Sequence, residues 1–210
     1  MYVPTAFQDD DPAGIAASLA AARLATLVTA TPEGLVATPL PLFFDAGEGG
    51  HGVLYGHVAR ANPQWRLPVL GEALALFSGP DAYVSPSWYA GKAEHGKVVP
   101  TWNYVAVHAY GPVEFFEEAE RLRAVVSRLT DLHEAGRARP WAVGDAPEAY
   151  IAAQLRGIVG VRLAITRIEG KRKLSQNRSE ADRLGVATGL ADSARENERA
   201  LGALIPTGSR

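Results

Sequence analysis

Leu24–Thr29 and Leu35–Phe44 are apolar runs with β-branched residues among them, set between polar and turn-forming positions, and they read as strands. Thr31-Pro32-Glu33-Gly34 joins the two runs and predicts a hairpin. Further strands are predicted at Val53–His57, Glu72–Ser78, Thr101–Tyr110, Val113–Phe116 and Ile158–Ile168, with Gly111-Pro112 closing a second hairpin. After Glu117 the spacing turns helical, and Leu122, Val125, Val126 and Leu129 fall on one face. Other helices are expected from Pro12 to about Arg23, over Ala61–Leu70 and over Pro147–Arg156, the first two capped by Asp11 and Asn62. The segment after Ser179 is helical in composition, with breaks expected near Gly185 and Gly189. Met1–Phe7 reads as an extended arm, Asp45–Gly52 as a glycine-rich loop and Gly79–Val99 as a long aromatic loop. Pro39 and Pro41 cannot donate to a sheet ladder, so that strand belongs at an edge or against a ligand.

Hairpin-linked strands with helices at the margins, and no repeated βαβ crossover, point to a closed or partly closed antiparallel barrel. The expected division is a barrel domain with inserted helices over residues 1–178 and a helical tail over 179–210. A chain of 210 residues can bury a substantial core without covalent staples. No apolar run nears the ~20 residues that span a bilayer. The alanine-rich stretch Ile15–Ala22 follows three aspartates rather than a basic leader, so a cytoplasmic location is expected. The chain has no cysteine, which removes disulfides, thiolate nucleophiles and thiolate metal sites. Its net charge of −2 excludes a globally basic nucleic-acid binder; any DNA contact needs a local patch.

His51, His57, His95, His108 and His133 form no helical metal pair, so no metal site is expected. The chain lacks a P-loop, a dinucleotide-binding glycine motif and a nucleophile elbow, which lowers hydrolytic and nucleoside-triphosphate functions. Four segments stand out, of which Phe77–Tyr89, with its turn prolines and aromatics, suits a dimer contact or a pocket wall equally, Asp81 being read as a turn residue with no catalytic role. Gly56-His57-Val58-Ala59-Arg60-Ala61-Asn62-Pro63 ends a strand and starts a helix, where free N–H groups near Gln64 and Trp65 and the Arg60 fork could meet an anion. Its plainer reading is a turn with a surface arginine. Pro100-Thr101-Trp102-Asn103-Tyr104 mixes polar donors with flat aromatic faces and suits a ring with polar edges, or simply a strand with a buried Trp. Lys171-Arg172-Lys173 followed by Ser175-Gln176-Asn177 could hold a dianionic phosphate, or be a solvated basic loop. No residue stands out as catalytic.

Together with Met1-Tyr2-Val3-Pro4, Phe77-Ser78-Gly79-Pro80 and Ser85-Pro86-Ser87-Trp88-Tyr89, in this order and spacing, these segments resemble the PaiB family of FMN-binding negative transcriptional regulators. The resemblance covers most of the chain and has least support over residues 119–153. It implies a mainly β fold with α additions: an antiparallel Greek-key split β-barrel with peripheral helices, related to pyridoxamine-phosphate-oxidase-like proteins. It also implies a homodimer with FMN near the subunit interface. By that likeness His57, Arg60 and Asn62 would line the phosphate or ribityl end, and Thr38, Pro39 and Leu40 would border the flavin ring. Thr101, Trp102 and Asn103, with Lys173, Ser175 and Gln176, would complete the site, from the same or the partner subunit. Three functions stay open: a regulator sensing flavin or redox state, a flavin-dependent oxidoreductase on a small molecule, and a haem-binding split-barrel protein. The tail gives direct DNA binding little support, because Glu180, Asp192 and Glu196 fall where a helix-turn-helix wants apolar or phosphate-tolerant residues.

Overall fold

The computed structural model describes residues 1–22 and 24–208. In chain order the first half contains β1 (Gln8–Asp9), α1 (Pro12–Ala21), β2 (Ala25–Thr31), β3 (Gly34–Leu40), β4 (Leu42–Asp45), β5 (Val53–Ala59) and β6 (Ala73–Val84). The second half contains α2 (Gly91–His95), β7 (Thr101–Gly111), β8 (Val113–Phe116), α3 (Ala119–Glu134), α4 (Glu148–Leu155), β9 (Ile158–Ala164), β10 (Arg167–Lys173), α5 (Glu180–Ala191) and α6 (Glu196–Gly202). These elements form two compact units: Met1–Ser18, Ser78–Val107 and Glu169–Arg210 in one, Leu19–Phe77 and His108–Ile168 in the other. The expected end of α1 at Arg23, and the last two residues of the tail, lie outside the described residues.

In the first unit the strand order is β1-β10-β7-β6, with Gln8 opposite Lys171 and Asp9 opposite Gly170. Asp11 starts α1 as expected, its carboxylate accepting the N–H of Ala13 at 3.1 Å and of Gly14 at 3.0 Å. The unit's core joins Val84 and Val105 of the strands to Tyr89, Leu174, and Val186, Leu190 and Leu201 of the tail helices. Gly185 and Gly189 do not break α5. They let it press on Trp88: a Cβ at Gly185 would come within 2.0 Å of the Trp88 carbonyl oxygen, and one at Gly189 within 2.5 Å of its indole. Two further expectations change here. Strand β6 continues to Val84 through the segment read as a loop, and the basic run Lys171–Lys173 lies on β10.

The second unit holds the β2–β3 hairpin, paired from Ala25↔Leu40 to Thr31↔Gly34, with the first half of β6 on the other side of β2. Its second sheet runs β4-β5-β9-β8, and β3 and β4 both end their strand orders, as the prolines require. Leu35–Phe44 is therefore two strands in two sheets, split at Pro41, which has no N–H to give. The expected β7–β8 hairpin does not form either: β8 pairs with β9, Phe115 opposite Val161. The predicted strand Ile158–Ile168 divides after Ala164 into β9 and β10. Helix α3 covers this sheet with the face the periodicity marked, Leu122, Val125 and Leu129 being buried beside Phe116, Ile151 and Leu155. Each such side chain contributes about 1.5–3 kcal/mol.

Candidate functional site

In the second unit, Thr38, Pro39 and Leu40 occupy the edge strand β3. Leu40 turns into the core, Thr38 is half-buried and Pro39 is exposed. Thr38 and Asn62, distant in sequence, meet: Asn62 Nδ2 donates to Thr38 Oγ1 at 2.9 Å. The other side of the same amide caps the following turn, Asn62 Oδ1 accepting the Gln64 N–H at 2.9 Å. The helix expected over Ala61–Leu70 is only a 3-10 turn, Pro63–Arg66, and its capped N–H at Gln64 is not open to an anion. Gln64 was not among the sequence candidates. It is fully buried, and its Nε2 donates to Thr29 Oγ1 at 3.0 Å and lies 3.3–3.4 Å from the carbonyls of Leu27 and Val36. Gln64 thereby braces the hairpin that carries Thr38, while its Oε1 is buried with no partner.

His57 stands on β5 opposite Gly160, with Nδ1 buried and unpartnered. Burial lowers its pKa from the ordinary 6.5, which favours the neutral ring. Each nitrogen of the Arg60 guanidinium already has a protein acceptor: it pairs with Glu117, and it donates to the carbonyls of Arg156 at 2.6 Å and Ile158 at 3.2 Å. Its own carbonyl accepts the Trp65 indole N–H at 3.0 Å. The adjoining cleft, about 330 Å³, sets Arg60, Arg123 and Arg156 against Glu117, Glu120 and Glu148, an even balance that offers a dianion no net field.

The first unit brings together all six of its candidates. Lys173, at the end of β10, donates to Thr101 Oγ1 at 2.5 Å and to the Trp102 carbonyl at 2.8 Å. Asn103 is fully buried, and its Nδ2 donates to Ser175 Oγ at 2.9 Å, while its Oδ1 is buried with no partner. Ser175 has φ +62°, a left-handed conformation that costs an L-residue about 1–2 kcal/mol. Gln176 closes this turn: Oε1 accepts the Leu174 N–H at 2.7 Å, and Nε2 donates to the Arg172 carbonyl. Burial holds the Lys173 pKa below its usual value; Tyr104 opposes the shift, and the nearby charges of Lys171 and Arg178 add to it. A cation depressed in this way gains from an incoming anion. Trp102 is half exposed, its indole N–H donating to Asp81 Oδ1 at 2.8 Å.

The chain matches the family model described as "Putative FMN-binding domain" over residues 1–167. It is 33% identical over 206 residues, 98% of this chain and 96% of the other, to the "Protease synthase and sporulation protein PAI 2" of Bacillus subtilis. Among solved structures it is similar to the FAD and heme binding protein from Mycobacterium smegmatis, with a TM-score of 0.58, 18% identity, and coverage of 87% of this chain and 80% of that one. It is also similar to the flavocytochrome Anf3 from Azotobacter vinelandii, with a TM-score of 0.56, 17% identity, and coverage of 79% and 69%. At such identities the structural likeness bears on fold alone, and the fold is the antiparallel split barrel with added helices that the family resemblance implied. On the extent of both sequence matches, the chain belongs to the PaiB-type family of FMN-binding proteins, and FMN is its cofactor.

Proposed function

We propose that the protein is an FMN-binding homodimer that reports flavin or redox state in the control of gene expression. The observation that carries the flavin assignment to particular residues is the Lys173–Thr101 and Ser175–Asn103 constellation. FMN combines a dianionic phosphate, a polyol and a planar ring, and these residues fit it. Lys173 supplies a desolvated cation, Ser175 a hydroxyl on a left-handed turn, and Asn103 a buried acceptor with no protein partner for a hydroxyl or N–H of the ligand. Thr38 and Asn62 form a second polar pair that we assign to FMN on the family likeness. Arg60 enters the proposal as a brace of the Asn62 turn, since its donors already have protein acceptors. When bound, FMN supplies one- and two-electron chemistry; the chain's part is to bind and orient it.

The dimer is supported by the outward face of β2, β3 and the start of β6. Thr26, Val28, Leu35, Ala37, Leu74 and Leu76 lie there without a single charge, and Val28 faces both Ala37 and Leu74 in register. Leu35 is 78% exposed. A face of this kind can pair with its own copy across a two-fold axis without burying a charge. The name of the Bacillus subtilis relative speaks only of protease synthase and sporulation, so the regulatory part of the proposal rests on the resemblance to the PaiB-type regulators alone. It does not place the tail on DNA: Val186, Leu190 and Leu201 are spent on the core, and α6 opens with Glu196 and Glu198. The test is a visible spectrum of the freshly purified protein with its mass in solution. A flavin spectrum at one FMN per chain in a dimer is expected; a colourless protein that takes up no added FMN would overturn the proposal. Steady bleaching by NADH or NADPH with turnover would favour the oxidoreductase reading instead.

A further inference from the structure

Trp102 combines two features that rarely occur together. It is half exposed, yet its indole is fixed at both ends. On one side the indole N–H donates to Asp81 Oδ1 at 2.8 Å. Asp81 is held in turn by Asn197 at the start of α6, whose Nδ2 donates to the Asp81 carbonyl at 3.1 Å and to Oδ2 at 3.2 Å. On the other side the Tyr83 ring meets the indole edge-on, centroids 6.2 Å apart at 65°. The Trp102 carbonyl also accepts from Lys173, so the aromatic plane and the cation are set by one residue. A surface tryptophan kept only for packing has no need of such a relay, because free rotation of an exposed ring costs nothing and fixing it costs side-chain entropy. Asp81 itself sits inside β6, so it is not explained as a turn residue.

We infer that Asp81 and Asn197 are positioning residues that set the plane of Trp102 to receive a flat, electron-poor ring, the isoalloxazine of FMN. This rests on the reading of the Lys173 cluster as part of the FMN site. The Trp102 side chain is half exposed, and an electron-rich indole stacked on a flavin has a measurable signature: it quenches flavin emission by electron transfer. The carboxylate acts through geometry, accepting the N–H so that the face, rather than the edge, meets the ligand.

The experiment is a titration of FMN into the full-length protein, following flavin emission and visible circular dichroism together. Wild type should bind FMN with strongly quenched emission. Trp102→Ala should restore most of the emission and weaken binding about three- to tenfold. Asp81→Ala and Asn197→Ala should each restore part of the emission and change the visible dichroism. Asp81→Asn, which keeps an acceptor for the indole N–H, should behave as wild type. In a Trp102→Phe background, which has no N–H, Asp81→Ala should add nothing, whereas a merely structural role for Asp81 would still show. If wild type binds FMN and the Trp102→Ala and Asp81→Ala spectra match it, this inference is wrong while the flavin site stands. If wild type binds no FMN, the underlying reading fails with it.

Discussion

Lys173 and His57 are both bases whose burial disfavours the charged form, and their consequences run in different pH ranges. Replacing Lys173 with Ala removes a charge-assisted bond of about 1.5–3 kcal/mol, so FMN should bind roughly 10- to 100-fold more weakly by fluorescence titration. In wild type, affinity should fall on the alkaline side as Lys173 loses its proton below the usual lysine value of 10.5, and that limb should vanish in the variant. At His57 the unfolded chain takes up a proton near 6.5 while the folded protein resists it. More protons on the unfolded state means that stability rises with pH across this window and is lost on acidification below it. Urea midpoints between pH 5 and 7.5 should show that slope, and His57→Gln should flatten it. Arg60→Ala removes the Glu117 pair and two carbonyl bonds, for about 1–2 kcal/mol of stability, while leaving FMN affinity within about twofold. A large affinity loss in that variant would return Arg60 to the phosphate site.

Among the elements, α5 shows how misleading a residue's ordinary preference can be. Two glycines inside a helix weaken it by about 1 kcal/mol each, and from sequence they read as breaks. Here they are the condition for close packing on Trp88. Gly185→Ala should therefore destabilise rather than stabilise, by about 1–3 kcal/mol in the denaturant midpoint, because the obstructing atom is a backbone oxygen that cannot rotate away. A gain in stability would mean that α5 does not lie against Trp88. The Asn62 turn teaches the complementary lesson. Asn-Pro correctly announced a helical start, but only one turn of 3-10 helix follows, and Asn62 divides its amide between capping the Gln64 N–H and donating to Thr38 on the edge strand.

For the whole molecule, the uncharged face of β2, β3 and β6 is the feature that argues for a second copy. Leu35→Glu puts a charge on a residue that touches little in the monomer, so it should shift the protein from dimer to monomer in sedimentation with scarcely any loss of helix or strand signal. An unchanged dimer would move the interface elsewhere. What the sequence by itself determined was the local half of the structure. Apolar, β-branched runs between turn residues located the strands, the three-four spacing located α3, Asp11 and Asn62 marked two starts, and the order of the short motifs identified a flavin-binding family. Each depends on neighbours within a few residues, where strand and helix periods and capping bonds are written. Beyond the β2–β3 hairpin, only tertiary structure decided which strands pair, since β3 and β4, or β7 and β8, are adjacent in sequence yet lie in different sheets. It alone decided which hydrogen-bonding groups keep an unpaired atom as well. Arg60 is engaged by groups 57 to 98 positions away, whereas Asn103, 72 positions from the serine it holds, keeps a buried oxygen open. Hydrogen-bond partners at such separations leave no local pattern, and so no reading of the chain alone could assign them.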